Sequence, residues 1–388
     1  MAGKNDGDSF GLEIGYPVYA AAFASDGRLL VAGGGGEGKN GIANKISVLD
    51  VNIDERKITV AGEKVLSKDE DLPMSLDITN TGVIATGINS ASAKIKTGTN
   101  EHLRLFKLES DNRIESQSQT QLFTSRQPDE YQKCTRFSQA GTLLAVASSG
   151  GTLHTLAFPS LQPQFAPMAD DTDEVQDVDF SFDEKLLAYT TPTSVTLLSA
   201  LTGEMITQQF PPPAMSFRGV RFAGESLIVV ANHARKRGAS LLKLTLPADI
   251  YLTKQQSLPP ARTVRALHTG IKAVTALDCL DGLAVVAGAD MSISVVRVDT
   301  LREIKTVHNA HAFPVTCVAI NPAGTCVATT SVAQSVVLLK LDPTASSNRQ
   351  VMIVSTVVSV VFIVIVGILV QLLVQRQVFQ HFTTGDDE

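Results

Sequence analysis

One pattern recurs seven times along the chain: an alternating apolar segment, a polar turn containing Asp or Gly, and a second segment of small apolar residues. The copies follow one another at intervals of roughly 40 to 60 residues, which is the period of propeller blades. The copies are VYAAAFASDGRLLVAGG from Val18, MSLDITNTGVIATG from Met74, CTRFSQAGTLLAVASSGG from Cys134, VQDVDFSFDEKLLAYTT from Val175, FRGVRFAGESLIVVAN from Phe217, VTALDCLDGLAVVAGAD from Val274 and VTCVAINPAGTCVATTS from Val315.

A further β-rich run follows most copies, such as KISVLDV from Lys45, HLRLFKL from His102 and SVVLLKL from Ser335. Strands joined by turns, with apolar residues at every second position, make up one four-stranded blade. Seven blades close a ring and leave only short, protected edges. The sequence therefore predicts an all-β, seven-bladed β-propeller of the WD type over residues 1–345.

The last copy, NAHAFPVTCVAINPAGTCVATTSVAQSVVLLKL from Asn309, is the most similar to a WD repeat. Ala310-His311 stands where such repeats carry Gly-His, and Leu339-Lys340 replaces Trp-Asp. The pair His308 and His311 has a spacing that a metal site could use. A structural hydrogen bond of the histidine that starts the blade is the favoured interpretation.

The C-terminal segment differs from the rest of the chain. Val351 to Val374 are 24 residues without a charge. As a helix they would be roughly 36 Å long, against a hydrocarbon core of roughly 30 Å. We expect a transmembrane anchor at 346–374 and a short lumenal tail at 375–388. Because the first residues show no basic segment followed by an apolar one, we expect the propeller on the cytosolic side.

Composition excludes some function classes. A net charge of −6 disfavours nucleic-acid binding, which usually requires a basic surplus. The four cysteines stand singly in strand-like runs without CxxC spacing, as expected of free thiols in a reducing compartment. No Ser-His-Asp set, carboxylate pair or metal cluster recurs at a suggestive spacing, so no covalent chemistry is predicted.

Blade one contains an unusual connection, GGGGEGKNGIAN, Gly33 to Asn44, which we call the glycine loop. A hairpin usually needs about two to five residues here. Gly33 to Lys39 matches the phosphate-loop pattern G-x-x-x-x-G-K, but Asn40 stands where Ser or Thr would bind magnesium. A strand-like run rather than a helix follows, so an ATP hydrolase is disfavoured.

Two other interpretations of the glycine loop remain open. It could be a flexible surface loop, the usual outcome for glycine-rich insertions. Against this interpretation, the loop contains Ile42, an apolar residue of the kind that a partner-binding loop carries. Alternatively, an ion could shape it, since carbonyl oxygens in a ring can replace the hydration shell of potassium. A second extended connection, TGINSASAKIKTGTN from Thr86, is interpreted as a loop that is merely long.

The segment GYPVYAAAFASDGRLLVAGGGGEGKNGIANKISVLDV, Gly15 to Val51, closely resembles the opening of a family of guanine-nucleotide exchange factors of the ER membrane. These proteins act on a Sar-type small GTPase to start COPII vesicle formation, and their animal members are the prolactin regulatory element-binding proteins. The resemblance implies a cytosolic propeller, a single C-terminal span in the ER membrane and a loop that encloses a potassium ion. That loop engages the GTPase and ejects GDP.

The resemblance also implies roles for particular residues. Ile42 and Asn44 would touch the GTPase. The acidic segment Glu70 to Pro73 matches a family feature, which makes Pro73 a further contact, although a proline that merely starts a strand explains it equally well. The residues expected to shape the loop and supply carbonyls to the ion are Gly33, Gly34, Gly35, Gly36, Glu37, Gly38 and Gly41. The rival hypothesis is a membrane-tethered propeller scaffold or receptor without exchange activity.

Overall fold

The computed structural model describes residues 9–38, 41–169, 173–247, 250, 263–267, 270–280 and 282–341, and nearly all of their regular structure is β. Within these residues one helix is present, α1 (Ser92–Lys96). The strands are β1 (Ser9–Glu13), β2 (Val18–Phe23), β3 (Leu29–Gly33), β4 (Lys45–Asn52), β5 (Lys57–Val65), β6 (Pro73–Ile78), β7 (Val83–Ile88), β8 (Leu103–Leu108), β9 (Ile114–Thr120), β10 (Gln132–Phe137), β11 (Leu143–Ser148), β12 (Thr152–Ala157), β13 (Gln162–Pro163), β14 (Met168–Ala169), β15 (Asp177–Phe180), β16 (Leu186–Thr190), β17 (Val195–Ser199), β18 (Met205–Gln209), β19 (Met215–Ala223), β20 (Ser226–His233), β21 (Ala239–Thr245), β22 (Thr263–Ala266), β23 (Val274–Leu280), β24 (Leu283–Gly288), β25 (Ile293–Arg297), β26 (Arg302–Val307), β27 (Val315–Ile320), β28 (Cys326–Ser331) and β29 (Ser335–Lys340).

These strands form seven antiparallel sheets. Six of them are built from strands that follow one another in the chain, and the seventh combines β27, β28 and β29 with β1. The first strands of neighbouring sheets contact one another in a closed ring, in the order β2, β6, β10, β15, β19, β23, β27 and back to β2. The predicted seven-bladed propeller is therefore confirmed. The first strand of every blade starts within two residues of one of the repeats found in the sequence.

Blade seven is completed by the N-terminal strand. β1 pairs antiparallel with β29, so that Ser9 lies opposite Leu339 and Glu13 opposite Ser335. The sheet order is β1-β29-β28-β27, which places one strand from the start of the chain beside three from the end of the propeller. Backbone hydrogen bonds thus close the ring and leave no gap between the first and last blades.

The hydrophobic core is divided among the blade interfaces. Among the described residues, buried side chains form seven clusters, and each lies between two neighbouring blades. Between blades one and two, for example, Leu30 and Ile46 pack with Ile84 and Phe106. Aliphatic side chains on alternate strand positions suit this arrangement, because one face of each sheet meets the next sheet.

Aspartates on the innermost strands connect successive blades. The Asp77 carboxylate accepts the backbone N–H of Phe137 at 2.7 Å, and Asp278 accepts that of Ile320 at 2.8 Å. Each bond spans from one blade to the first strand of the next. Because partly buried carboxylates need such donors, these hydrogen bonds help to hold neighbouring blades together.

Two further expectations bear on the fold. Cys134, Cys279, Cys317 and Cys326 are free thiols, as predicted. No helix within the part of the chain that the structure describes is long and apolar enough to cross a membrane. The predicted anchor at Val351–Val374 and the tail at 375–388 lie outside the described residues.

Candidate functional site

The glycine loop connects the second and third strands of blade one. Gly33 ends β3, where it lies opposite both Val18 of β2 and Lys45 of β4. The residue after the loop, Lys45, starts a strand, so the loop does not lead directly into a helix as a phosphate loop would. The structure therefore supports rejecting the phosphate-loop interpretation. Lys39 and Asn40 lie outside the described residues.

The base of the loop is tightly closed. The backbone N–H of Gly34 donates to the Pro17 carbonyl at 2.9 Å. Gly34 has a φ of +149°, and a Cβ at this position would lie 2.3 Å from Asn44 Oδ1 and 2.5 Å from Asn44 Cα. Only glycine fits such a close approach of the two ends of the loop.

Asn44 braces the loop from inside. It is 2% exposed, and its Oδ1 accepts the N–H of Gly36 at 2.9 Å. Its Nδ2 donates to the Glu70 carbonyl at 3.0 Å, and its own carbonyl accepts the N–H of Leu66 at 2.8 Å. The amide expected to touch a GTPase is thus bonded within the protein on both its donor and its acceptor side. In this conformation Asn44 holds the loop, and a direct contact with a partner stays a prediction.

The acidic segment before β6 forms the next wall of the site. The Glu70 carboxylate binds Nη2 of the buried Arg104 on β8 at 2.8 Å. The N–H of Asp71 donates to the Asn89 carbonyl at 3.0 Å, and a Cβ on Gly36 would lie 3.0 Å from Asp71 Oδ1. The segment is therefore packed against the glycine loop and fixed to blade two.

Pro73 lies at the end of this acidic segment. It is buried as the first residue of β6 and lies opposite Ile88. This placement fits the interpretation as a proline that starts a strand. Its expected contact with a GTPase stays a prediction.

The remaining residues form the tip of the loop. Glu37, Gly38, Gly41 and Ala43 are exposed, and Gly35 is half-buried. Ile42 is half-buried and packs at the edge of the hydrophobic cluster between blades seven and one. The loop thus has a fixed base and an exposed tip, and Ile42 is the large apolar side chain that is partly accessible among the described residues of that tip.

The connection between β7 and β8 is more than a long loop, contrary to the sequence interpretation. It contains helix α1, whose first residue, Ser92, donates from its backbone N–H to Glu37 Oε2 at 2.9 Å. The site therefore includes Ser92 and Arg104, which the sequence analysis did not single out, together with Glu70 and Asp71 of the acidic segment that it did. No pattern in the sequence indicated Ser92 or Arg104.

Oxygen atoms are the donors that this site offers to a cation. No three His, Cys, Asp or Glu side chains come together as a metal site within the described ranges. Asn44 Oδ1, the Ala43 carbonyl and Asp71 Oδ1 all lie near the backbone of Gly34 to Gly36. Uncharged and carboxylate oxygens are the ligands of hard cations, so the residues present are of the type that potassium requires.

His311, the other candidate ligand considered from the sequence, has a different role. It is buried, with Nδ1 2.7 Å from Ser335 Oγ and Nε2 2.9 Å from Thr329 Oγ1. Burial lowers the pKa of His311 to about 4. These two hydroxyl contacts agree with the structural hydrogen bonding favoured for this histidine, and His308 is exposed.

Comparison with known proteins identifies sequences similar to this chain. Residues 302–338 match the family described as WD domain, G-beta repeat. The guanine nucleotide-exchange factor SEC12 of Candida glabrata is 26% identical over 348 residues, which cover 87% of this chain and 73% of that protein. The putative guanine nucleotide-exchange factors SED4 of Candida glabrata and Saccharomyces cerevisiae are 30% and 28% identical over 86% and 88% of this chain.

The matches cover different shares of the relatives' own lengths. The chain spans only 32% of either SED4 protein, whereas it spans 73% of SEC12. All three matches cover a length of this chain comparable to the whole propeller. The chain is therefore a relative of the SEC12 and SED4 guanine nucleotide-exchange factors, which confirms the resemblance found in its sequence.

Proposed function

We propose that the chain is a guanine-nucleotide exchange factor that releases GDP from a Sar-type small GTPase at the ER membrane and so starts COPII vesicle formation. The relatives are named as exchange factors, which supports nucleotide exchange in general. The observation that carries the proposal is the glycine loop, whose base is held by Gly34 and Asn44 while residues around Ile42 are exposed.

Nucleotide exchange requires no covalent step by the exchange factor. The factor must bind the nucleotide-free GTPase more tightly than the GDP-bound form, and by linkage it then weakens GDP binding by the same factor. A loop with a fixed base loses less conformational entropy on binding than a free glycine-rich segment would. The braced base of the glycine loop is thus suited to displacing an element of the GTPase.

The contacts divide the loop residues into two groups. Ile42, with the exposed backbone of Gly41 and Ala43 beside it, is assigned the contact with the GTPase. Asn44 is assigned a positioning role, because its amide already bonds Gly36 and Glu70. Pro73 helps to place the acidic segment against the loop from the start of β6.

Potassium is proposed as the ion that orders the loop. The residues that would hold it are drawn from Gly33, Gly34, Gly35, Gly36, Glu37, Gly38 and Gly41 through their backbone carbonyls. When bound, the ion would neutralise the dipoles of the carbonyls that hold it and fix the tip in one conformation. Asn44 Oδ1 keeps the N–H of Gly36 occupied, which turns this part of the backbone in a defined direction.

The membrane anchor expected at Val351–Val374 would confine this activity to one membrane. With the propeller in the cytosol and the tail in the lumen, the activated GTPase would form only beside the ER surface. The location of coat assembly would then follow from the location of the exchange factor.

GDP release from a Sar-type GTPase loaded with a fluorescent GDP analogue tests the proposal directly. The full chain is reconstituted in liposomes, and release is followed with potassium, sodium or lithium as the only monovalent cation. We expect at least about a tenfold acceleration of release in potassium and little in lithium, since a smaller cation fits a carbonyl ring less well.

Each other outcome removes a defined part of the proposal. Acceleration of equal size in all three salts would retain the exchange factor and discard the ion. Folded, membrane-inserted protein that accelerates nothing would leave the membrane-tethered scaffold as the explanation of the propeller.

A further inference from the structure

A carboxylate of the glycine loop reaches a second blade. Glu37 is exposed at the start of the tip, yet its Oε2 accepts the backbone N–H of Ser92 at 2.9 Å. The hydroxyl of Ser92 donates to the same oxygen. Two donors from one residue thus converge on one carboxylate oxygen, 55 positions away in the chain.

The contact between Glu37 and Ser92 lies where the loop leaves its fixed base. Gly36, one residue earlier, is held by Asn44, and Gly38, one residue later, is exposed with open space around it. Among the described residues 34–38 on the first side of the loop, Glu37 therefore makes the last side-chain hydrogen bond. A side chain at this point determines the direction in which the following glycine-rich residues leave the propeller, because glycine itself restricts the backbone little.

The partner of Glu37 is fixed to blade two. Ser90 N–H donates to Asn100 Oδ1 at 2.9 Å, and the Asn100 amide donates to Asn89 Oδ1 at 3.1 Å. Ile95 of α1 is buried. Ser92 thus belongs to an anchored connection and can serve as a fixed point for the loop.

We propose that Glu37 is a positioning residue for nucleotide exchange, and that its bonds to Ser92 hold the tip of the glycine loop in the orientation that meets the GTPase. This inference rests on the exchange activity proposed above. It makes helix α1 of blade two a part of the exchange machinery, although neither Glu37 nor Ser92 need touch the GTPase.

The test compares Glu37→Ala, Glu37→Gln, Ser92→Ala and the double alanine variant in the full chain in liposomes. Amide hydrogen exchange is measured for peptides covering the glycine loop, together with kcat/KM for GDP release. Glu37→Ala should raise loop hydrogen exchange about tenfold and lower kcat/KM about tenfold. Ser92→Ala should have a smaller effect, because the backbone N–H of residue 92 still donates to Glu37.

Two variants separate positioning from general damage. Glu37→Gln keeps an oxygen acceptor and should return kcat/KM to within about threefold of the wild type, since a neutral acceptor makes a weaker bond. Glu55→Ala, which removes an exposed carboxylate at the other end of β4, should change neither measurement. The double variant should be no slower than Glu37→Ala, because both changes remove one interaction.

Hydrogen exchange and GDP release together show which part of the proposal fails. Unchanged hydrogen exchange in Glu37→Ala would show that the contact does not hold the loop, and would overturn the inference. Faster hydrogen exchange with normal GDP release would overturn the positioning role alone. A wild-type protein without exchange activity would refute the proposed function, and hydrogen exchange would still decide whether Glu37 holds the loop.

Discussion

Blades one and seven differ in how their second and third strands from the centre are connected. In blade seven, β28 and β29 are joined by three residues, 332–334, closed by bonds within the turn such as Gln334 N–H to the Ser331 carbonyl. In blade one, β3 and β4 are joined by eleven residues, 34–44, held by Pro17, Glu70 and Ser92. The short connection is closed by a bond within its own turn and receives one bond from outside, from the N–H of Ile14 to the Gln334 carbonyl, whereas the long one takes its shape from several other parts of the chain.

This difference distinguishes the structural turns of the propeller from the candidate functional site. A local turn tolerates changes elsewhere in the propeller, because its hydrogen bonds lie within a few residues. The glycine loop depends on distant side chains, so single substitutions can move its tip without unfolding a blade. Functional loops on a rigid frame often show this division. Substitutions at the base of the glycine loop should therefore slow nucleotide exchange while the propeller stays folded.

Gly34→Ala should have the largest effect on exchange. A Cβ at Gly34 would lie 2.3 Å from Asn44 Oδ1 and 2.5 Å from Asn44 Cα, so the two ends of the loop must separate. A shift of about 1 Å at the tip would slow GDP release about a hundredfold. Gly27→Ala is the control, because Gly27 has a φ of +89° but open space around it. Equal loss of exchange in both variants would show that the close approach to Asn44 is unimportant.

Asn44→Ala should lower exchange at least about tenfold while the propeller stays folded, since it frees Gly36 and Glu70 together. Its matched control is Asn321→Ala. Asn321 is also buried, and its Oδ1 accepts the N–H groups of Thr325 and Cys326 in a turn of blade seven. Both variants should lose about 1 to 3 kcal/mol of stability, measured by thermal unfolding.

Only the blade-one asparagine should affect GDP release. If Asn321→Ala slows GDP release as much as Asn44→Ala, the loss reflects stability, and the comparison between the two blades fails. If Asn44→Ala exchanges at the wild-type rate, neither contact nor positioning by Asn44 is needed.

The sequence predicted the parts of this molecule that depend on local patterns. Seven alternating repeats gave seven blades, because strands and turns are encoded within a few residues of one another. The unusual length and glycine content of the loop identified the candidate site. The pairing of β1 with β29 joins residues more than three hundred positions apart, and no local pattern indicates it.

The sequence also could not show which side chains of the site point inwards. Asn44 reads as a polar loop residue, and its burial follows only from the positions of Gly36 and Glu70. Helix α1 has five residues, too few to be stable alone, so it depends on contacts such as the burial of Ile95. Tertiary contacts of this kind determine the site, and a repeat pattern does not contain them.

Lowering the pH should destabilise blades two and seven equally. Of the changes considered, it should have the smallest effect on nucleotide exchange. Burial lowers the pKa of His102, beside the site, and of His311, in blade seven, to about 4 each. His102 Nε2 accepts two backbone N–H groups, from Leu122 and Phe123, so it cannot take a proton without losing them. The unfolded chain binds a proton at each histidine below pH about 6.5, so stability is complete above that pH and falls towards pH 4.

At pH 5 each histidine should therefore reduce the free energy of unfolding by about 2 kcal/mol relative to pH 7. Urea unfolding of the full chain at the two pH values measures the sum, and hydrogen exchange should show equal loosening of blades two and seven. His311→Asn should remove the pH-dependent loss of stability that arises in blade seven and leave the loss that arises in blade two. Faster hydrogen exchange in blade two alone would show that the whole of blade two, and not only the glycine loop beside it, differs in stability from blade seven.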